Sequence, residues 1–165
     1  MLKINYCLSL DIKTPTEEVR EKLKALYSYC ANHPFSEVSP VQDFVKVPIK
    51  FLRHVVPEEI IGFKFRLAAE GEVFALKLMK FPNIDRAPQV WYCDESIWMS
   101  KEVPASLYMI KYRAFIEAMD EAKRIGFNVG ISDEGGYWEG RSLDVLVSAI
   151  KRDRDYTDPR DVIVR

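Results

Sequence analysis

Soft metal ligands are scarce in this chain. Its 165 residues include only two histidines, and its three cysteines, Cys7, Cys30 and Cys93, are far apart in sequence. Zinc sites need four protein ligands, or three with a water, and only Cys30 and His33 have a spacing found in such sites. The sequence therefore predicts no metal and no cofactor. We interpret Cys30 as a core residue and His33 as a residue at the end of a helix.

A nucleophile with a suitable base is also not evident. Cys93 has the sequence context of the most exposed thiol, but Asp94 beside it would raise the thiol pKa and disfavour the reactive thiolate. No serine has the glycine-flanked context of a hydrolase nucleophile. These absences predict a non-catalytic protein.

The chain has neither a strong positive charge nor a long apolar run. Its formal net charge is -1 and its isoelectric point is about 6.2, which argues against general binding to nucleic acid or anionic lipid. Polar residues interrupt the N-terminal segment and every other apolar stretch, so we expect neither a signal peptide nor a membrane helix. The odd number of scattered cysteines predicts no disulfide and favours the reducing cytoplasm.

Alternation of apolar and polar residues is the main secondary-structure signal. Apolar residues at every second position predict strands at 2–12, 45–51, 61–67, 74–78 and 127–131. The aromatic-rich stretch 90–99 is predicted to be a strand whose alternation is unclear at Asp94 and Glu95. Because Pro48 lacks a backbone donor, the strand at 45–51 is expected at a sheet edge. In the first strand, the expected core residues are Leu2, Ile4, Tyr6, Leu8 and Leu10.

Helical spacing of apolar residues predicts three helices, at 14–31, 104–125 and 142–150. Thr14 is expected to cap the first helix, with Glu17 completing a capping box, and Ser142 is expected to cap the last. The predicted fold is a single two-layer α+β domain over residues 1–165. Its mostly antiparallel sheet has five or six strands packed on two or three helices. Residues 151–165 are predicted to form a charged, extended C-terminal tail.

The connection 132–142, between a predicted strand and a predicted helix, concentrates polar and aromatic side chains. We identify as candidate binding residues Asp133, Glu134, Tyr137, Trp138, Glu139 and Arg141. The connection lacks the glycine spacing of a phosphate loop, and its carboxylates would repel phosphate. Its composition instead favours a cation, an amine, a sugar or a basic peptide, on which the aromatic rings could stack.

Several functions are compatible with this connection. The first is a non-catalytic cytoplasmic binding or interaction domain that contacts a protein partner or a small cationic or sugar ligand. The second is a small enzyme or ligand-binding protein in which the carboxylates act on a carbohydrate or cation. A purely structural interpretation also stands, in which Trp138 packs on the core and Arg141 pairs with Glu139 or Asp133.

Nucleic-acid binding is a third functional alternative, through basic residues on the predicted strands. These residues are Lys46, Lys50, Arg53, His54, Lys64, Arg66, Lys77 and Lys80. A nucleic-acid-binding sheet normally also exposes aromatic rings for stacking. The alternation instead predicts that Phe51, Phe63, Phe65 and Phe74 face the core, so a solvated basic face is the favoured interpretation.

Overall fold

An antiparallel sheet with helices on one face forms the fold in this computed structural model, which describes residues 1–99 and 103–155. The strands are β1 (Lys3–Asp11), β2 (Glu37–Val38), β3 (Gln42–Asp43), β4 (Glu59–Arg66), β5 (Phe74–Lys80), β6 (Val90–Trp98) and β7 (Asn128–Asp133). Their order is β2-β4-β5-β6-β1-β7, and β3 also pairs with β4. The helices are α1 (Thr16–Ala31), α2 (Ala105–Ile125), α3 (Tyr137–Gly140) and α4 (Leu143–Asp155). The predicted two-layer α+β architecture is confirmed.

The central strand β1 has the alternation that its sequence predicts. Its apolar residues from Leu2 to Leu10 are buried at every second position, whereas Lys3 and Asn5 are exposed. β1 pairs with β6 on one side and with β7 on the other. The strand therefore contributes one continuous row of side chains to the core beneath the helices.

Helix α2 supplies much of the opposite side of this core. Phe115 is 1% exposed, and its ring centroid lies 5.1 Å from that of Tyr6 and 5.8 Å from that of Phe65. The helix is followed by its C-cap Gly126, whose φ of 120° is readily adopted only by glycine. None of the helices in the described ranges has both the length and the apolarity required to cross a lipid bilayer.

The start of α1 differs from the prediction. The helix begins at Thr16, and its N-cap is Pro15, which makes no side-chain capping bond. The Thr14 carbonyl instead accepts a hydrogen bond of 3.1 Å from the indole N–H of Trp91. Thr14 is therefore not the cap, because it belongs to a turn that its N–H closes by donating to the Asp11 carbonyl at 3.0 Å.

The strand predicted at 45–51 is absent, and the prediction that Phe51 faces the core is wrong. Val45 is 84% exposed and Phe51 is 70% exposed. A short 3₁₀ turn, Lys50–Leu52, precedes two residues with positive φ, Arg53 and His54, so the chain reverses here.

The segment around this turn covers a second, smaller core on the face of the sheet opposite the helices. Ile60 of β4 and Met79 of β5 are cross-strand partners, and both are buried there. Phe44, Ile49 and Leu52 pack against them. The apolar residues that anchor this segment therefore do not follow the alternation of a strand.

Helix α4 extends further than the sequence predicts. Ser142 Oγ accepts a hydrogen bond of 3.3 Å from the Val145 N–H, which supports the predicted cap. The helix then continues to Asp155, so residues 151–155 are helical rather than an extended tail. The remainder of the predicted tail, 156–165, lies outside the described residues. The predicted loop at 35–43 contains the two-residue strands β2 and β3.

Candidate functional site

The 132–142 connection is held to the fold by Asp133, the last residue of β7. Its carboxylate accepts hydrogen bonds from the Tyr112 hydroxyl at 3.0 Å and from the Tyr137 and Trp138 backbone N–H groups at 2.8 and 3.3 Å. The Gly135 N–H donates to the same Tyr112 hydroxyl at 2.9 Å. A Cβ at Gly135 would lie 2.7 Å from that oxygen, so the close approach requires glycine. Asp133 therefore stabilises the start of α3.

Glu134 and Tyr137 are also occupied by the fold. The Glu134 carboxylate accepts a hydrogen bond of 2.8 Å from the Lys3 N–H, and the Glu134 N–H donates to the Lys3 carbonyl at 3.0 Å. Tyr137 is buried in the main core. The structure thus separates these candidate residues, because Asp133 faces α3 while Glu134 extends the edge pairing with β1.

Trp138 and Arg141 pack against each other in the second half of the connection. The Arg141 guanidinium lies 4.7 Å from the Trp138 ring centroid and makes two bonds, of 2.6 and 2.7 Å, to the Asp120 carboxylate. Arg141 therefore pairs with Asp120 of α2 rather than with Glu139 or Asp133. Trp138 is half-buried and packs against the core, whereas Glu139 is exposed. No group of three or more His, Cys, Asp or Glu side chains that could hold a metal ion occurs in the described ranges.

A cleft opens elsewhere, where β5 and β6 separate. β4 and β5 are paired from Glu59 and Lys80 to Phe65 and Phe74, and β6 is paired with β1 along its whole length. Between β5 and β6 the ladder consists of one pair, Met79 and Tyr92. The two strands therefore diverge towards the Phe74 end of β5.

This β5/β6 cleft has a volume of about 540 Å³. It is lined by Phe51, Glu72, Val73, Phe74, Ala75, Lys77, Asp94, Glu95, Ser96 and Trp98. Consecutive strand residues point to opposite faces of a sheet. By this alternation Lys77, Asp94 and Ser96 share the face of Met79 and Tyr92, opposite the helices, so the cavity is a groove mainly on that face where the two strands diverge. Its volume lies within the range of about 300–1,000 Å³ typical of ligand sites.

Glu95 is the most unusual residue of the cleft. The register with β1 places it opposite Tyr6, in the row of β6 that contains the buried residues Cys93 and Ile97. It is half-buried and forms no salt bridge with any residue in the described ranges. The hydroxyl of Tyr6 is buried and also lacks a hydrogen-bond partner within the described part of the chain. Polar groups without partners at core-facing positions are costly, and they occur preferentially at functional sites.

The other charged groups of the cleft leave an excess of negative charge. Among the described residues that line it, three are carboxylates and Lys77 supplies the one ammonium. The Lys77 ammonium lies 5.7 Å from the Phe44 ring centroid, over that ring. Asp94 accepts a hydrogen bond of 2.9 Å from the Tyr92 hydroxyl. Burial raises the pKa of Glu95, Lys77 lowers it and Asp94 raises it, with a net upward shift from the ordinary value of 4.5.

This shift predicts a pH-dependent effect of Glu95→Gln on stability. A raised folded-state pKa means that folding favours the protonated carboxyl, a contribution fully present below the unfolded-state pKa and lost as pH rises through the folded-state pKa. The unfolding free energy of Glu95→Gln minus that of wild type should therefore be more positive at pH 7 than at pH 4. Urea melts of both proteins at the two pH values measure this difference. If this difference stays constant or becomes less positive from pH 4 to pH 7, the environment assigned to Glu95 is contradicted.

Cys30 and Cys93 have the environment of structural thiols, since both are buried. Burial raises the pKa of both Cys30 and Cys93 to about 12, so both thiols are protonated at neutral pH. Cys93 is fully buried, which corrects its interpretation as the most exposed thiol, since its side chain points into the core between β1 and β5. All three cysteines are free. His33 stacks on Tyr29, with ring centroids 3.7 Å apart, at the end of α1.

The basic residues of the strands do not form one uninterrupted surface. Lys77 shares the β5/β6 cleft with three carboxylates, and Lys80 lies over the Trp91 ring at 5.9 Å. Phe63 and Phe65 are buried, as predicted. Phe51 is exposed, but it lies at the rim of the acidic cleft.

The cleft is not apparent from the sequence, although one residue marks its position. Alternation places Glu95 among core residues, and this is the point at which the strand pattern of 90–99 becomes unclear. Comparison with protein-family models, with curated proteins and with solved structures finds no match for this chain.

Proposed function

We propose that this protein is a non-catalytic cytoplasmic binding protein that holds a cationic ligand with an apolar body in the β5/β6 cleft. The observation that carries the proposal is Glu95, a half-buried carboxylate in an open cavity that forms no salt bridge with any described residue. The ligand class is one that the composition of the 132–142 connection also favours. The binding position is different, because most of that connection is occupied by the fold.

Glu95 is partly removed from water in the folded protein. A carboxylate that is removed from water without a partner destabilises the folded state, and its raised pKa expresses that cost. A cation bound beside Glu95 would offset the cost and would favour the ionised form. Asp94 and Glu72 add to the negative potential of the cleft. An anionic ligand would meet repulsion from the same three groups.

Aromatic side chains that line the cleft favour a ligand with an apolar body. The rings of Phe74 and Trp98 pack edge to face, with centroids 5.1 Å apart, and both line the cleft. Phe51 is exposed at the rim. Aromatic faces attract cations and bury apolar groups. An amine or guanidinium on an apolar body therefore fits the lining better than a bare metal ion.

The proposal is tested with phenethylamine and its neutral analogue 2-phenylethanol. We expect wild type to bind the amine at least about tenfold more tightly than the alcohol, a difference in binding free energy of about 1.4 kcal/mol. Glu95→Gln should remove this preference. Its affinity for the amine should fall, whereas its affinity for the alcohol should stay within about twofold of wild type, because the ring contacts remain. Isothermal titration calorimetry at pH 7 measures both ligands on both proteins.

Glu139→Gln is the matched control, since Glu139 is an exposed carboxylate of the 132–142 connection. It should bind both compounds as wild type does. Equal affinity of wild type for the amine and the alcohol overturns the proposal. Loss of the amine preference in Glu139→Gln, but not in Glu95→Gln, moves the site to the 132–142 connection.

A second candidate is contact with a protein partner through the exposed side of the 132–142 connection. The observation in its favour is the Arg141 guanidinium stacked on Trp138 at the surface. Arginine, tryptophan and tyrosine are enriched among the residues that dominate interface energies. This surface is independent of the β5/β6 cleft.

Trp138→Ala tests whether this ring is available to a partner. Because Trp138 is half-buried, we expect its removal to lower the unfolding free energy by about 1–2 kcal/mol, less than the roughly 3–5 kcal/mol of a fully buried ring. A urea melt measures the loss, with Glu139→Ala as an exposed reference. A loss of more than about 3 kcal/mol shows that Trp138 is a core residue and removes the second candidate.

A further inference from the structure

We infer that the cationic ligand of the β5/β6 cleft carries a sugar, which lies over β1 and β7 on the same face of the sheet. This inference rests on the proposed function, since it names the chemical class of the ligand at that site. The cleft accounts for the cation and its apolar body, whereas the sugar depends on residues of β1 and β7 outside the cleft.

A second cavity, of about 260 Å³, lies beside the cleft on the sheet face opposite the helices. The side chains of β1 alternate between the faces, and those at even positions from Leu2 to Leu10 are buried beneath the helices. The register then places six residues of the cavity together on the other face: Asn5 and Cys7 of β1, Tyr92 and Asp94 of β6, and Gly130 and Ser132 of β7. We call this cavity the β1/β7 depression.

Gly130 leaves space on this face between β1 and β7. It is the cross-strand partner of Cys7, and a Cβ at position 130 would lie 2.6 Å from the Cys7 Sγ. A larger residue at this position would therefore push the thiol aside or fill part of the depression. The depression exists because one of the two paired residues has no side chain.

The β1/β7 depression adjoins the cleft across β6. Asp94 lines both spaces, and Ser96 of the cleft is the cross-strand partner of Asn5 of the depression. Neighbouring strands are about 4.8 Å apart, so the gap between β5 and β6 lies roughly 10 Å from the middle of the β1/β7 pair. This distance is comparable to the length of a phenyl glycoside, so one small molecule spans both spaces.

Donors and acceptors alternate where the two spaces meet. The Ser96 hydroxyl donates to the Asn5 Oδ1 at 2.5 Å, which leaves the Asn5 amide N–H groups as donors and the Ser96 oxygen as an acceptor. Asp94 accepts a hydrogen bond from the Tyr92 hydroxyl at 2.9 Å and retains further acceptor capacity. The lining is therefore suited to groups that both donate and accept.

Sugar hydroxyls match this lining better than the other chemical groups do. Each hydroxyl donates one hydrogen bond and accepts others, and neighbouring hydroxyls of a sugar ring repeat this pattern. An anionic group would be repelled by Asp94. An apolar group would cover Asn5 and Ser132 without giving them hydrogen-bond partners, which is unfavourable.

The test compares tyramine with its O-β-D-glucoside by isothermal titration calorimetry at pH 7. The two compounds share the amine and the ring, and only the glucoside carries a sugar. We expect wild type to bind the glucoside at least about tenfold more tightly than tyramine. Backbone amide shifts at 5–7 and 130–132 should change with the glucoside and stay nearly constant with tyramine.

Asn5→Ala and Ser132→Ala test the residues that contact the sugar. Each variant should reduce the glucoside advantage to about threefold or less, and its affinity for tyramine should stay within about twofold of wild type. Both side chains are exposed, so both variants should fold. Ser9→Ala is the matched control, because Ser9 is on the same strand and the same face and does not line the depression. It should keep the full advantage.

The outcomes separate this inference from the proposed function. If wild type binds the two compounds equally and Glu95→Gln weakens both, the inference is overturned and the proposed function stands. A glucoside advantage that both Asn5→Ala and Ser132→Ala retain places the sugar elsewhere and also overturns the inference alone. If phenyl β-D-glucoside, which has no amine, binds as tightly as the tyramine glucoside, the cation is not recognised and both proposals fail. If none of these compounds binds, both are overturned.

Discussion

Phe115→Asp is expected to leave little folded protein. Phe115 is 1% exposed and packs between Tyr6 of β1 and Phe65 of β4, so it joins α2 to two strands of the sheet. Removing a buried phenylalanine side chain costs about 3–5 kcal/mol, and burying an unpaired carboxylate adds several more. The sum approaches the total stability of a typical domain, about 5–15 kcal/mol.

Circular dichroism and urea denaturation of the purified variant measure this effect. Ile110→Asp is the matched control, because Ile110 is on the same helix and is 45% exposed. It should fold cooperatively with a small change in unfolding free energy. A Phe115→Asp protein that is as stable as Ile110→Asp would show that this face of α2 is not buried against the sheet.

Leu8→Ala is expected to lower the unfolding free energy by about 2–5 kcal/mol. Leu8 is fully buried at the middle of β1, between β6 and β7, where neighbouring strands restrict the relaxation that could fill the cavity. Ser9→Ala is the control, since the next residue along the strand points to the opposite face. It should change stability by no more than about 0.5 kcal/mol.

Urea melts of the two variants give both values. A loss of unfolding free energy below about 1 kcal/mol for Leu8→Ala, or an equal loss for both variants, contradicts the placement of Leu8 on the buried face of β1.

The parts of the fold that the sequence predicts well are those with a strong period and two different faces. β1 alternates over its full length, and α2 carries a continuous apolar stripe, so each element has a single favourable orientation against the core. The antiparallel sheet with helices on one face follows from these elements and from the antiparallel pairing of β4 with β5 across the connection 67–73.

The segment 45–51 shows why alternation alone fails. Its apolar residues have the spacing of a strand, but Pro48 removes a donor and the chain reverses at Arg53 and His54. The residues that do anchor it, such as Ile49, pack on the small core opposite the helices. That core exists only because Ile60 and Met79 meet across the sheet, which local sequence does not reveal.

The cleft lies away from the segment in which the sequence concentrates candidate binding residues. Acidic and aromatic residues concentrate in 132–142, yet Asp133 and Glu134 are bound to backbone groups and Tyr137 is buried. The cleft depends instead on where β5 and β6 stop pairing, a property of two strands rather than of either sequence. Its local trace was the carboxylate of Glu95 at a core-facing position.

The central claim, that a cation binds in the β5/β6 cleft, is tested most directly by mapping the binding position. Phenethylamine is titrated into ¹⁵N-labelled protein, and the backbone amide shifts are followed by heteronuclear NMR. We expect saturable shift changes concentrated at Phe74–Lys77 and Asp94–Trp98, and much smaller ones at 132–142. Saturable changes centred on 132–142, or no saturable change at either position, would contradict the claim.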